Sequence, residues 1–171
     1  EVRVQLISHR RLGSAAINGH GVDWSSHDLF GPGRAGAIRQ LREEAREFRP
    51  DWIIGCSDAW VGVLAHRLSR YCNSRLVIDA YDNFESYMPW NLPLHVMWRR
   101  AVLAADTVAV AGPQLASLLN RYRKKKVPPV VVPMAADPHF TPRDKQSSRV
   151  SLGLPSNAPL IGYMGAWSGS R

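Results

Sequence analysis

The densest concentration of chemically capable side chains is Tyr81-Asp82-Asn83-Phe84-Glu85-Ser86-Tyr87. Asp82 and Glu85 can accept hydrogen bonds from hydroxyl groups, and Asn83 can both donate and accept. The aromatic rings between them offer apolar faces. The run therefore reads as a recognition loop for a hydroxyl-rich ligand. The structural alternative is a helix start capped by Asp82 or Asn83.

Gly55-Cys56-Ser57-Asp58-Ala59 is one residue away from G-x-S-x-G, the sharp turn that exposes a nucleophilic serine. Asp106 and His139 follow in Ser-Asp-His order, so an α/β serine hydrolase with Ser57 as nucleophile is one alternative. Against it, no His-Gly-Gly type segment for an oxyanion hole precedes Ser57, and Ala59 stands where the last glycine belongs. Ser57 or Asp58 would otherwise cap the following helix. The six histidines, at 9, 20, 27, 66, 95 and 139, show no H-x-H or H-E-x-x-H spacing, so no metal is expected. Cys56 and Cys72 are too few for a disulfide framework and read as reduced thiols of a cytosolic protein.

Charge supplies a further alternative. The 171 residues carry 22 Lys+Arg and 14 Asp+Glu, a formal net charge of +8. Residues 101–150 hold eight basic and three acidic side chains, with Arg121, Arg123 and Lys124 to Lys126 standing together ahead of Pro128-Pro129. Such a cluster suits anionic lipid, phosphate or nucleic acid, or it is the cationic last turn of a helix. A non-catalytic nucleic-acid-binding module would need a reading motif, and none occurs, so no nucleic-acid partner is expected. Met88-Pro89-Trp90 with Met97-Trp98 is either a lipid-facing patch or a buried helix face. With 45% hydrophobic and 21% charged residues the composition is that of an ordinary globular chain. No stretch approaches the ~20 apolar residues that span a bilayer.

These residues need elements to hold them. Val2–Ser8 alternates as a strand does, and Gly21 to Phe30 carries a weaker second strand ended by Gly31-Pro32-Gly33. The spacing of Ile38, Leu41, Ala45 and Phe48 predicts a helix over 34–48. Trp52–Cys56 is short and almost wholly apolar, as in a sheet buried on both faces. A helix over 59–71, a strand at Leu76–Ala80 and a helix over 93–104 follow. Then come a strand at Thr107–Ala111, a helix begun by Pro113 and a strand at Val130–Val132. Asp137 to Pro159 is polar and Pro-bearing, as linkers are, and Leu160–Gly165 is one more strand. Short apolar strands alternating with amphipathic helices indicate α/β, a Rossmann-like parallel sheet with helices on both faces. Ligands of such sheets bind beyond the carboxyl ends of the strands. Ser57-Asp58, Asp82-Asn83, Gly112 and Met134 all follow strand ends.

A resemblance runs through this order. Arg49–Ser57 (RPDWIIGCS), Leu76–Asp82, Leu103–Val110 (LAADTVAV), Val131–Phe140 (VVPMAADPHF) and Ile161–Gly165 resemble retaining glycosyltransferases of the two-domain GT-B fold, family 4 type. The resemblance implies two Rossmann-like domains facing across a cleft, the first holding the acceptor and the second the nucleotide-sugar. Residues 1–142 would be the acceptor domain, 143–159 the linker and 160–171 the first strand of the donor domain. The implied activity is transfer of a sugar, with retention, from a nucleotide-sugar to a glycan or lipid-linked acceptor in polysaccharide biosynthesis. It implies no cofactor, and a cytoplasmic protein peripheral to the inner face of the cytoplasmic membrane. Asp82 stands where many members carry a histidine that contacts the transferred sugar, so it is the implied catalytic residue. Ser57, Asp58, Asn83, Glu85, Gly112, Gln114 and Met134 are the implied substrate-binding residues.

The departures are specific. Met134 and Ala135 replace the usual Asn and Gly. The donor half's two Glu separated by seven residues do not occur, so the chain alone is expected to be inactive. Glu1–Leu6 resembles the family's second strand and Ala16–Val22 the turn after it. A central first strand is then missing. Alternatively Val2–Ser8 is itself the first strand, with 9–21 as a short crossover.

Overall fold

A computed structural model describes residues 2–8, 22–123, 127–135, 137 and 139–163. The chain divides into two compact units, Glu1–Met134 and Ala135–Arg171. The first contains β1 (Val2–Ser8), β2 (Val22–Asp28), α1 (Arg34–Phe48), β3 (Trp52–Cys56), α2 (Ala59–Cys72) and β4 (Arg75–Ala80). It continues with α3 (Phe84–Tyr87), α4 (Leu92–Ala104), β5 (Thr107–Val110), α5 (Pro113–Asn120) and β6 (Val130–Val131).

The strands β3-β4-β5-β6 pair in that order, all parallel, with Ile53 beside Leu76, Val77 beside Thr107 and Val110 beside Val131. This is the expected α/β, Rossmann-like arrangement, a parallel sheet flanked by helices. β1 and β2 pair parallel over their whole length, from Val2 beside Val22 to Ser8 beside Asp28, but as a separate two-stranded sheet. β3 is therefore an edge strand of its sheet.

Alternation along the strands builds one core. Leu76, Ile78 and Ala80 of β4 and Val108 and Val110 of β5 point to the same face. They pack with Val63 and Ala65 of α2, Phe84 of α3, Leu94, Trp98, Ala101 and Val102 of α4, and Leu119 of α5. Two glycines permit the layer to close. A side chain at Gly62 would collide with the Trp98 ring, and one at Gly55 would lie 2.7 Å from the Ala65 Cβ. The opposite face is less covered. Val77, Asp79, Thr107 and Ala109 are half-buried, and Trp52 and Ile54 are 45% and 61% exposed. β3 thus departs from the expected double burial, because only its Ile53 and Gly55 side meets α2.

Other boundaries shift. The recognition loop expected at Tyr81 to Tyr87 contains the single helical turn α3. Tyr122 follows the end of α5 and packs on the core. The expected linker holds a helix of the second unit, α6 (Lys145–Ser151), capped by Asp144, whose Oδ1 accepts from Ser147 N at 2.8 Å. From within α6, the buried Arg149 donates to the carbonyls of Pro155 and Ser156, both at 2.6 Å, and of Ala158 at 2.9 Å. Leu160 to Tyr163 form no strand, and Met164 and Gly165 lie outside the described residues.

The basic cluster is also corrected. Arg123 is 0% exposed. Its guanidinium donates to the carbonyls of Val102 at 2.6 Å, Ala105 at 2.8 Å, Asp106 at 3.3 Å and Val127 at 3.1 Å. It closes the carboxyl end of α4, where free carbonyls gather. It is not part of a surface patch. Lys124 to Lys126 lie outside the described residues.

Candidate functional site

Parallel pairing sends the carboxyl ends of β3, β4, β5 and β6 to one edge of the sheet. Ser57, Asp82, Gly112 and Met134 each lie just beyond one of those ends. The edge has three parts with different chemistry.

The first part follows β3. Asp58 Oδ1 accepts from Trp60 N at 2.8 Å and Val61 N at 3.2 Å, capping α2. Its cap role is thus built. Ser57 is exposed and holds φ at 91°, a left-handed backbone that a non-glycine residue rarely adopts. Cys56 lies beside Asp79 across the β3–β4 pair. Its thiol is pushed up, first by desolvation and then by the Asp79 carboxylate, so it is a poor nucleophile at neutral pH. Asp79 is half-buried at this edge. The Ser-Asp-His order does not form a triad. Asp106 sits at the start of β5, at the opposite edge, where its Oδ2 accepts from Leu76 N at 2.8 Å. His139 belongs to the second unit.

The second part follows β4 and is the most organised. Asp82 is half-buried. Its Oδ1 accepts from Asn83 N at 2.8 Å and its Oδ2 from the Tyr87 hydroxyl at 2.5 Å. A carboxylate oxygen has two lone pairs, so Asp82 retains capacity for a ligand hydroxyl. Asn83 is exposed, and its backbone carbonyl accepts from Ser86 N and Oγ at 3.0 and 2.7 Å. Phe84 anchors the turn by edge-on contacts with Tyr81 at 5.6 Å and Trp98 at 5.4 Å between ring centres. Glu85 faces inward. It receives Arg99 Nε at 2.9 Å and Nη2 at 2.5 Å, and the Tyr122 hydroxyl at 3.3 Å. The Arg99 hydrogen bonds hold its carboxyl below the ordinary range, against partial desolvation. Burial and Glu85 together raise the Tyr122 hydroxyl. Glu85 therefore ties α3 to α4 and to the segment after α5. This placement sets it apart from the substrate-binding role expected of it.

The third part follows β5 and β6. Gly112 precedes α5 in extended backbone, and no side chain caps that helix. The carboxamide oxygen of the exposed Gln114 lies 3.6 Å from where a side chain on Gly112 would begin. Met134 is 77% exposed.

Sequence reasoning missed Tyr87, Arg99 and Tyr122 as partners of the loop. Tyr87 stood in the quoted run, and its five-residue separation from Asp82 was the available signal. It also missed Gly31-x-Gly33-x-x-Gly36, a glycine pattern that follows β2 and opens α1. There Asp28 Oδ1 already accepts from Phe30 N at 3.0 Å and Gly31 N at 2.8 Å, so the turn satisfies its donors internally.

Concavity lies elsewhere. An open depression of about 660 Å³ at the opposite edge of the sheet is lined by Arg49, Asp51, Trp52, Cys72, Asn73 and Arg75. It contains none of the residues expected to act. Among the described residues no group of three or more His, Cys, Asp or Glu could hold a metal ion. No protein-family model and no curated protein matches the chain.

Proposed function

We propose that the first unit is the acceptor-binding half of a glycosyltransferase that moves a sugar from a nucleotide-sugar to a glycan or lipid-linked acceptor. One observation carries the reading. The motif-bearing strands pair in parallel and in sequence order, and so bring Ser57, Asp82, Gly112 and Met134 to a single edge. The Asp82 turn supplies acceptor chemistry there, a half-solvated carboxylate beside Tyr81 and Tyr87. Asp82 would hold and orient a sugar hydroxyl, and Asn83 would add a donor and an acceptor. The donor and its leaving diphosphate belong to a second domain. Catalysis then rests on positioning and electrostatic stabilisation.

Binding of oligosaccharides to this chain, followed by saturation-transfer NMR across a panel of glycans and lipid-linked saccharides, tests the reading. Signal from sugar protons, lost in Asp82→Ala, is expected. In an enzyme completed by a donor half, the same change lowers turnover at least about tenfold, or about 1.4 kcal/mol. The chain alone should release no nucleoside diphosphate from any nucleotide-sugar. Saccharide binding indifferent to Asp82, or covalent labelling of Ser57 by a fluorophosphonate, would overturn the proposal.

A further inference from the structure

The amino ends of β3 and β4 lie at the edge of the sheet opposite Ser57 and Asp82, and the open depression of about 660 Å³ lies there. Two of its lining residues, Trp52 and Arg75, are partners across the β3–β4 pair. The Arg75 guanidinium lies over the Trp52 ring, 5.1 Å from its centre, and the ring is still 45% exposed. Arg49 joins the lining from the carboxyl end of α1, where it holds φ at 50°. Such a left-handed cap favours glycine or asparagine, as Asn73 at the end of α2 illustrates. The turn alone does not select an arginine. Arginines at helix ends commonly serve the free carbonyls there. Arg123 and Arg149 do so, donating to four and three carbonyls. Arg49 and Arg75 do not. Among the described residues neither guanidinium donates to a carbonyl or pairs with a carboxylate, and both residues are exposed. Asp51, the one carboxylate of the lining, is ion-paired with neither.

We propose that this depression binds a phosphate ester of a ring-bearing molecule. The two guanidinia take the phosphate, the Trp52 ring takes the ligand ring, and Asp51 and Asn73 take its hydroxyl or amide groups. The number of donors selects phosphate over carboxylate. One guanidinium fork satisfies a carboxylate, whereas a phosphate ester offers three oxygens and about two charges to two forks. Stacking on Trp52 does not consume Arg75. It engages the plane of the guanidinium and leaves the N–H donors within that plane free. Asp51 selects the ester over the bare ion. Its carboxylate repels free phosphate but accepts from a hydroxyl on the organic part of a ligand. The residues read as acting on a sugar stand at the other edge, so the inference does not depend on sugar transfer.

Calorimetric titration of the chain with adenosine 5′-monophosphate, ribose 5-phosphate, adenosine and inorganic phosphate decides it. At least one ester should bind about tenfold or more tighter than both adenosine and inorganic phosphate. Either ester supports the site, and the tighter of the two shows whether a base or a sugar ring meets Trp52. Arg49→Asn, which suits the left-handed cap, and Arg75→Gln should each weaken the ester by about tenfold or more. Trp52→Leu should erase the advantage over inorganic phosphate. Arg100→Gln, on α4 and outside the depression, should leave the affinity unchanged. Both substituted arginines of the site are exposed, so circular dichroism and melting should match the parent and certify the fold. Cys72 lines the depression, so bound ester should slow its alkylation, while Cys56 at the far end of β3 should react at its former rate. Equal affinity for inorganic phosphate would mean an adventitious ion only. That result, failure of both esters to bind, arginine variants that bind like the parent, or Cys72 alkylation indifferent to the ester would each overturn the proposal.

Discussion

Glu85 carries the sharpest test at the scale of single residues. Its carboxylate is clamped by Arg99 and touched by Tyr122, and the Arg99 hydrogen bonds depress its pKa in the folded state. A depressed carboxyl contributes stability above its unfolded value. It loses that contribution as pH falls through the folded one. Folding should therefore weaken below about pH 4.5, the unfolded region for Glu. The Arg99 side chain is 47% exposed, so solvent limits the pair to about 1 kcal/mol. Glu85→Gln should lower the unfolding free energy, read from urea denaturation at pH 7, by that amount and flatten the loss towards acid. An unchanged acid limb in the variant would remove Glu85 from the linkage. The type of this residue was legible in sequence, but its role was not. A carboxylate in a polar-aromatic loop looks like a ligand for substrate until a partner 14 positions away is seen to turn it inward. Asp82 differs because its partners, Asn83 and Tyr87, are local and leave it half-open.

Elements were legible where periodicity was strong. The helix expected over 34–48 has those bounds, and β3, α2, β4 and β5 fall within a residue or so of expectation. Misreadings arose where long-range contacts decide. The Arg121 to Lys126 run looked like one basic patch, yet chain reversal after α5 buries Arg123 beneath α4. The sequence around Arg123 holds no sign of the α4 carbonyls it will meet. This makes a firm prediction. Arg123→Met keeps much of the volume and strands the carbonyls of Val102 and Ala105 without donors. Each buried unsatisfied group costs about 1–3 kcal/mol, so the loss should reach about 3 kcal/mol in chemical denaturation. Arg123→Lys should recover only part of it, because one ammonium cannot span four carbonyls with a planar fork. A Met variant as stable as the parent would show that water, not Arg123, satisfies the helix end. α4 itself was half legible: Trp98 is core, as its spacing allowed, while Trp90 and the outer leucines are surface.

At the scale of the whole first unit, stability should be uneven. Among the described residues the core cluster draws on α2, β4, α3, α4, β5 and α5, and on nothing from β1 or β2. A two-stranded sheet on its own is marginal in water. Polar contacts help to tie β1 and β2 to α1. Gln5 Nε2 donates to Glu44 at 3.0 Å, the buried His27 lies 3.2 Å from the same carboxylate, and Arg3 sits 4.6 Å from the centre of the Phe48 ring. Gln5 Oε1 and Ser26 Oγ are buried without partners, which subtracts further. The period-two alternation of Val2–Ser8 revealed a strand but could not reveal which strand it joins, because register and neighbours are set by tertiary packing. Amide exchange separates the two sheets. Protection in β4 and β5 should approach the global unfolding free energy, whereas β1 and β2 should open locally at a lower one. Followed by mass spectrometry, peptides covering 2–8 and 22–28 should exchange at least about tenfold faster than those covering 75–80 and 107–110, a gap of about 1.4 kcal/mol. Glu44→Ala should widen that gap, since it removes the acceptor shared by Gln5 and His27 while leaving the core cluster untouched. Equal protection in both sheets would mean that α1 couples them into one cooperative unit. The buried Leu41, at 2% exposure, would then be the contact to examine as the coupler.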